Sequence, residues 1–210
     1  MAESIFGAWW ERIRGKLQPR PCPYSLARTL ETPGRSVVAG PNKVLGAFGI
    51  TLGQTVVEIG PGTGFYSIEA ARRVGPSGRL ICLDLQPEML RHTREQVERH
   101  RLSASFVQAN AHTLPLCTAS VDHVFLITVL GEIPDRARAL AEIKRVLRTG
   151  GRLSVSEQFP DPDFVTLGVL QRELVAAGFV EEKSRGWLFY TSTWSTGFRH
   201  GDSISKDGCG

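Results

Sequence analysis

The stretch VVEIGPGTG, residues 56–64, places β-branched residues directly before three closely spaced glycines. The β-branched residues favour a strand over 55–59, and residues 65–73 have the pattern of a helix. Glycines at such a turn permit positive φ angles and allow a ligand to lie against the backbone. The N-terminus of the following helix favours a carboxylate or phosphate. The stretch therefore predicts a ligand-binding turn between a strand and a helix.

Strands and helices alternate on the C-terminal side of this turn. Further strands are predicted at 79–83, 105–108, 121–128 and 153–156, and helices at 87–100 and 136–147, the last closed by Gly150-Gly151. Apolar strands separated by helices form parallel sheets that are covered on both faces. We therefore expect an α/β fold with a Rossmann-like, doubly wound sheet.

The C-terminal part of the chain has a different pattern. A helix at 167–177 precedes two strands, at 180–185 and 187–193, which are joined by a tight turn at Gly186. Two such strands form an antiparallel hairpin at the edge of the sheet. The prediction is a mostly parallel seven-stranded sheet with an antiparallel C-terminal hairpin strand.

The chain divides into three parts: an N-terminal helical extension over 1–50, the α/β domain over 51–200, and a polar tail over 201–210 that we expect to be disordered. Apolar residues of the extension recur at helical spacing, with basic residues between them: Ile5, Phe6, Trp9, Trp10, Ile13 and Leu17. This pattern predicts an amphipathic helix. We favour a lid packed on the domain; the alternative is a helix lying on a membrane surface.

Composition excludes several classes of function. The net charge of +4 comes from basic residues spread along the chain, whereas nucleic-acid binding calls for a basic patch. No apolar run is long enough to span a membrane. The four cysteines are scattered, which predicts no metal site and buried free thiols at Cys82 and Cys117. We expect a cytoplasmic protein, with peripheral membrane contact if the extension binds lipid.

The glycine spacing and two acidic residues indicate which class of ligand the turn binds. A dinucleotide site has the spacing G-x-G-x-x-G, but here it is G-x-G-x-G, with Glu58 before it. Glu58 would repel a pyrophosphate and attract an ammonium group. Asp84 ends the second strand, where a carboxylate accepts hydrogen bonds from ribose hydroxyls. An amino acid joined to a ribose describes S-adenosylmethionine.

Residues 55–158 resemble the type-11 class I methyltransferases, including the ubiquinone/menaquinone-biosynthesis type. The similar segments are VVEIGPGTGFYS (56–67), LICLDLQPEML (80–90), VQANAHTLPL (107–116), VDHVFLITVLGEIPD (121–135) and EIKRVLRTGGRLSVSE (142–157). The resemblance implies methyl transfer from S-adenosylmethionine to a small-molecule acceptor by in-line displacement. The tryptophans of the extension suggest a lipophilic acceptor, but neither its identity nor the oligomeric state can be predicted.

The resemblance also implies site residues. The methionine end of the cofactor would be held by Glu58, Gly60, Gly62 and Gly64, and Thr128 would approach the same part. Asp84 would hold the ribose. Leu85 and Gln86 would flank the adenine, and Asn110 and Ala111 would contact its edge. Two positions depart from the family. Asn110 stands where the family has Asp, which changes the donor–acceptor pattern. Gly131-Glu132 replaces a Leu-His or similar pair, which puts histidine-based catalysis here in doubt.

No catalytic signature is obligatory, because the cofactor supplies the chemistry and the protein aligns the reactants. Glu132, Tyr66 and Glu157 are candidates for contact with the acceptor, although packing or solvation accounts for each of them too. Two other functions stay open at this point. A nicotinamide-dependent oxidoreductase is disfavoured by the glycine spacing. A noncatalytic cofactor-binding protein is favoured only by Asn110 and the absence of an evident base.

Overall fold

A computed structural model describes residues 40–197 of the chain. The predicted amphipathic helix with Trp9 and Trp10 and the polar tail lie outside the described residues. The helices are α1 (Pro41–Phe48), α2 (Ser67–Val74), α3 (Pro87–Arg99), α4 (Arg136–Val146) and α5 (Leu167–Ala176). The strands are β1 (Thr55–Ile59), β2 (Arg79–Asp84), β3 (Ser105–Gln108), β4 (Val121–Ile127), β5 (Leu147–Gln158), β6 (Val180–Arg185) and β7 (Phe189–Ser195), and a short 3-10 helix covers Leu130–Glu132.

All seven strands form one sheet, in the order β3-β2-β1-β4-β5-β7-β6. Strands β1 to β5 are parallel to one another. Strand β7 is antiparallel to β5 and to β6. The predicted α/β fold, with its mostly parallel sheet and antiparallel C-terminal hairpin, is confirmed.

Alternating side chains of the central strand β4 bury two separate apolar clusters. Val124 and Leu126 pack in the cluster that includes Leu140 of α4 and Leu170 of α5. Phe125 belongs to the opposite cluster, with residues from α1 and α2. Since successive side chains of a strand point to opposite faces, the apolar residues Val124 to Ile127 of β4 anchor helices on both sides of the sheet.

Helix α1 belongs to the hydrophobic core of the described residues. Its Val44, Leu45 and Phe48 are buried and pack in the same cluster as Val56 of β1 and Leu80 of β2. Burying each of these side chains contributes roughly 1.5–3 kcal/mol to folding. Helix α1, the last part of the predicted extension, is thus part of this core.

The junction after α4 differs from the prediction. Helix α4 ends at Val146 and β5 begins at Leu147 without a loop, so Gly150-Gly151 lie inside β5 and do not close the helix. Leu147 continues the helical spacing of apolar residues, but it is buried as the sheet partner of Val121. Tertiary pairing therefore overrides the local pattern here.

The two cysteines within the described residues lie in different environments. Cys82, in the centre of β2, is buried as predicted. Cys117 is exposed and disulfide-bonded, so the prediction of a buried free thiol there is wrong. The apolar run around Cys117 belongs to a surface connection before β4, where only Leu114 enters the core.

The order of the strands creates a crevice at one edge of the sheet. The chain moves outward from β1 through β2 to β3 and then returns to place β4 on the other side of β1. In such sheets ligands bind outside the carboxyl ends of the strands, at the point where the order reverses. The predicted ligand-binding turn, residues 60–64, follows β1 at this point.

Candidate functional site

A cleft of about 260 Å³ lies at the carboxyl edge, between the loops that follow β1 to β4. Its lining includes these predicted cofactor residues: Glu58, Gly60, Gly62, Asp84, Leu85, Asn110, Ala111 and Thr128. It also includes two of the candidate acceptor residues, Glu132 and Tyr66. Gly64 and Glu157 are outside the lining. Residues chosen from separate segments of the sequence are therefore brought together.

The structure requires glycine at positions 60 and 62 for different reasons. A Cβ on Gly60 would lie 2.5 Å from Val129 Cγ2, and its φ is +70°, so the loop after β1 lies directly against the segment after β4. Gly62 also has positive φ, +58°, but no heavy atom lies within 4 Å of its Cβ position. Its backbone faces open space in the cleft, where a ligand can approach closely.

Gly64 has a packing role in the loop. A Cβ at this position would lie 3.2 Å from the backbone Cα of Thr93 in α3, and its φ is +83°. The Thr93 hydroxyl in turn donates a hydrogen bond to the carbonyl oxygen of Gly62 at 3.0 Å. Helix α3 therefore holds the glycine loop in place, and Gly64 shapes the loop from behind the cleft.

Glu58 is a buried carboxyl group at the floor of the cleft, with only 3% of its surface exposed. Its Oε2 accepts hydrogen bonds from the Ser67 hydroxyl at 2.5 Å and from the Cys82 thiol at 3.7 Å. Burial raises the pKa of Glu58 from 4.5 to about 7, against the opposing effect of these hydrogen bonds. A cation bound nearby would favour its ionised form.

Asp84 lies beside Glu58, at the end of β2. One of its oxygens, Oδ1, accepts a hydrogen bond from the backbone N–H of Gln86 at 2.9 Å. Burial raises the pKa of Asp84, while hydrogen bonds from the backbone of Gln86, Leu85 and Gly62 lower it. The Asp84 carboxylate is thus oriented by the backbone and lines the cleft.

Asn110 stands in the loop after β3. Its side-chain Oδ1 accepts a hydrogen bond from the backbone N–H of His112 at 2.9 Å. Its backbone carbonyl accepts one from Thr113 N–H, also at 2.9 Å. These two bonds form a tight turn that presents Asn110 and Ala111 to the cleft.

The segment after β4 is strained at one residue and closely packed at another. Thr128 has a φ of +54°, which is unusual for a β-branched residue and of a kind that clusters at functional sites. Its N–H donates to Ser156 O at 2.8 Å. A Cβ on Gly131 would lie 1.7 Å from Asp163 O. Glycine at this position therefore lets the loop after β5 close against the 3-10 helix.

The three candidate acceptor residues differ in their access to the cleft. Tyr66 is buried, and its hydroxyl accepts a hydrogen bond from Gln158 Nε2 at 3.2 Å. Glu132 is half-buried and lines the cleft. Glu157 is 1% exposed and lies outside the lining. Burial raises its pKa well above the usual range, and the nearby charges of Asp161 and Glu132 add to this.

Several lining residues were not predicted from the sequence. They are mostly apolar: Phe65, Met89, Val129 and Ile133, together with Asp161. Asp161 follows the end of β5, and a polar residue at that position could have been predicted from the sequence to line the cleft. The apolar residues carry no such signal, because their pattern is that of ordinary core residues.

A larger surface depression of about 1010 Å³ lies beside α4, away from the glycine loop. Two of its arginines are held in ion pairs, Arg136 with Glu173 and Arg145 with Glu142, and Lys144 donates to the backbone carbonyls of Ala177 and Gly178. Its lining includes neither the glycine loop nor Asp84. The smaller cleft is the better candidate site, since polar groups and unhindered backbone converge there.

The sheet order and the cleft at its switch point are those of a Rossmann-like α/β fold. Residues 57–155 match the Methyltransf_11 family model, described as a methyltransferase domain. Residues 57–155 are therefore similar to this family, in agreement with the resemblance stated from the sequence. The match does not support the nicotinamide-dependent alternative.

Individual relatives agree with this assignment. The chain is 40% identical over 111 residues to the ubiquinone/menaquinone biosynthesis C-methyltransferase UbiE of Hahella chejuensis, covering 52% of this chain and 45% of that protein. It is 35% identical over 125 residues to the arsenite methyltransferase of Halobacterium salinarum, covering 54% of this chain and 32% of that protein. The chain thus spans less than half the length of these two curated relatives.

A solved structure shows the same fold. A SAM-dependent methyltransferase from Aquifex aeolicus superposes with a TM-score of 0.78 and 24% sequence identity, covering 84% of this chain and 100% of that chain. The similarity extends beyond the family model and includes most of the described residues. Among residues 40–197, no helix is long and apolar enough to cross a membrane.

The raised pKa of Glu58 predicts a pH-dependent stability. The folded protein binds a proton at Glu58 more tightly than the unfolded chain does. Protonated Glu58 therefore contributes to the free energy of unfolding; this contribution is fully present below pH 4.5 and is lost as pH rises through about 7. Replacing Glu58 with Gln should therefore raise the unfolding free energy relative to wild type by about 3 kcal/mol more at pH 8 than at pH 4.5.

Urea unfolding of the ligand-free protein at both pH values measures this difference. Glu95→Gln, an exposed position on α3, is the matched control and should show no pH-dependent gain. An equal pH dependence for the Glu58 variant and wild type would contradict the raised pKa.

Proposed function

We propose that this chain transfers a methyl group from S-adenosylmethionine to a small-molecule acceptor. The observation that carries the proposal is the convergence of Glu58, the unhindered backbone of Gly62 and the oriented carboxylate of Asp84 in one cleft. S-adenosylmethionine carries a group suited to each: an ammonium, a carboxylate and a ribose. The matching family model and the named methyltransferase relatives support the same activity.

The methionine end of the cofactor would lie over the glycine loop. Its ammonium would be attracted by Glu58, and its carboxylate by backbone N–H groups near the start of α2. Gly60 and Gly62 give the ligand access to the backbone, and Gly64 holds the loop against α3. Thr128, whose backbone is strained at the end of β4, would contact the methionine part from the other side.

The ribose would lie at the end of β2, and the base would lie nearer the end of β3. Asp84 at the end of β2 would accept hydrogen bonds from the ribose hydroxyls. The base would lie further along, between Leu85 on one side and Asn110 and Ala111 on the other. Leu85 suits a base-flanking role, because its side chain is 46% exposed at the rim of the cleft.

The acceptor would enter from the β4–β5 side, opposite the base. There the cleft is bounded by Tyr66, Val129 and Ile133, with Glu132 and Asp161 at its edge. When bound, S-adenosylmethionine would supply an electrophilic methyl group to a nucleophilic atom of the acceptor, with S-adenosylhomocysteine as the leaving group. Glu132 and Tyr66 are placed to contact the acceptor. Glu157 would act on it only through neighbouring groups, because it lies outside the lining.

The acceptor we propose is lipophilic. The acceptor side of the cleft is lined largely by apolar side chains, and the name of the UbiE relative places that protein in quinone biosynthesis. The arsenite methyltransferase relative suggests a thiophilic acceptor instead. No group of residues able to hold a metal ion occurs within residues 40–197. The lining of the cleft contains no cysteine, which favours the lipophilic acceptor.

Cofactor binding gives the first test. Gly62→Ala places a methyl group in the cleft and strains a backbone with φ of +58°, so it should weaken S-adenosylmethionine binding at least tenfold. Gly168→Ala is the matched control, because its Cβ also meets no atom within 4 Å but lies on α5, and it should bind normally. Isothermal titration measures both affinities. Failure of wild type to bind at millimolar ligand would refute the proposal.

A second test concerns membrane contact. As the alternative to the lid favoured from the sequence, we propose that the basic, tryptophan-bearing helix predicted for the N-terminal extension lies on a bilayer surface, where lipophilic acceptors are found. The Trp9→Ala/Trp10→Ala variant of the full chain should therefore lose most of its co-sedimentation with vesicles containing anionic lipid. Trp187→Ala, which removes a 75% exposed tryptophan at the β6–β7 turn, is the control and should co-sediment like wild type. Equal co-sedimentation of the extension variant and wild type would exclude the contact.

A further inference from the structure

Cys117 forms a disulfide with a cysteine that lies outside the described residues. It is exposed and disulfide-bonded. The chain has four cysteines, and the other one within residues 40–197, Cys82, is buried and free. The two that remain are Cys22 and Cys209. One of these two is therefore the partner of Cys117.

Cys117 lies at the margin of the depression beside α4. The next two residues along the chain, Thr118 and Ala119, line this depression. The backbone on both sides of Cys117 is held by Arg145 of α4. The Arg145 guanidinium donates a hydrogen bond to the carbonyl oxygen of Leu116 at 2.9 Å, and Ala119 N–H donates to the carbonyl oxygen of Arg145 at 2.9 Å. Cys117 is therefore fixed in position against α4.

The C-terminal segment of the chain begins at the same depression. Thr196 and Gly197, at the end of the described residues, also line it. Thr196 is anchored there, because its N–H donates to the carbonyl oxygen of Gly151 and its hydroxyl to that of Arg148, both at 3.0 Å. Cys209 is 12 positions beyond Gly197, and an extended chain of this length spans up to about 40 Å. The segment is thus long enough to bring Cys209 to Cys117.

The segment that carries Cys22 approaches from the other face of the sheet. It leads into α1, whose Phe48 packs with Phe125 on one face. The connection around Cys117 belongs to the opposite face, where Leu116 packs against the cluster that contains Leu140 of α4. A chain from α1 would have to pass around an edge of the sheet to reach Cys117. The observations therefore favour Cys209.

Small side chains keep the depression open between α4 and α5. Ala137 and Ala141 of α4 line it, together with Ala176 and Ala177 at the end of α5. Both positions on α4 are exposed within the described structure. The C-terminal segment also has small residues at regular intervals, at Gly201, Ser203, Ser205 and Gly208. An extended chain with small side chains can lie closely against such a surface.

We infer that residues 198–209 cross the depression beside α4 and are fastened there by a disulfide between Cys117 and Cys209. In forming the bond, the two thiols release two protons and two electrons as their sulfurs join. A low-molecular-weight disulfide such as oxidised glutathione takes up the electrons and becomes two thiols. Because Cys117 is exposed, the bond is open to thiol exchange, so a reducing environment would release the segment. This inference is independent of the proposed methyl transfer.

Peptide mapping of the full chain tests the pairing. The protein is equilibrated with oxidised glutathione, treated with N-ethylmaleimide to block free thiols, and digested with trypsin without reductant. Trypsin sites separate all four cysteines. Mass spectrometry should detect the peptide of Cys117 linked to that of Cys209. A link between Cys117 and Cys22, or recovery of Cys117 as the blocked thiol, would overturn the inference.

Thermal unfolding of the oxidised protein tests whether the bond constrains the fold. Cys209→Ser should lower the thermal midpoint by about 10 °C, because the bond closes a loop of about 90 residues. Cys22→Ser is the matched control and should unfold like wild type. Dithiothreitol should bring the wild-type midpoint down to that of Cys209→Ser and leave this variant unchanged. The opposite pattern, with Cys22→Ser destabilised and Cys209→Ser unchanged, would contradict the assignment.

A variant that fills the depression tests whether the segment lies in it. Ala141→Trp should reduce the equilibrium constant for the Cys117–Cys209 bond, measured in a glutathione redox buffer, by about fivefold or more, because the indole occupies the space of the segment. Val175→Trp, at an exposed position of α5 outside the lining, is the matched control and should leave it unchanged. An equal equilibrium constant for Ala141→Trp and wild type would show that the segment takes another path.

Discussion

The close approach of Gly60 to Val129 is the contact on which the rest of the site depends. These residues follow β1 and β4, the two neighbouring strands between which the order of the sheet reverses. A side chain on Gly60 would collide with Val129 and push the two loops apart. Because Gly60 and Val129 are in close contact, the loops after β1 and β4 form one continuous wall. The cleft opens toward β2 and β3 on one side of this wall and toward β5 on the other.

The buried charge at the floor of the cleft follows from the same arrangement. Glu58 lies in β1, between β2 and β4, and depends on Ser67 and Cys82 for its hydrogen bonds. Its raised pKa means that burial makes the carboxylate costly to ionise and that a bound ammonium would offset this cost. Stability and ligand affinity are therefore coupled through one residue. A neighbouring carboxylate, Asp84, is half-buried, is held by backbone N–H groups and completes the polar side of the cleft.

Much of this fold could be predicted from the sequence because its strands are short apolar runs with clear ends. Strands β1 and β3 and the helices α3 and α5 occur within about one residue of their predicted bounds. Leu147 was misassigned because its helical spacing and its pairing with Val121 compete, and only the assembled sheet decides between them. The polar half of the site was predictable from strand ends and glycine spacing. The apolar half, such as Met89 and Ile133, was not, since nothing in the pattern separates a cleft-lining residue from a core residue.

A structure of the full chain with bound S-adenosylhomocysteine tests the central claim most directly. We predict that the ligand lies along the carboxyl edge, with its amino group near Glu58 and a ribose hydroxyl within about 2.5–3.2 Å of an Asp84 carboxylate oxygen. Its base should lie between Leu85 and Asn110, and its sulfur should face the β4–β5 side. A ligand found in the depression beside α4, or one in the cleft with its ribose away from Asp84, would contradict this assignment of the site.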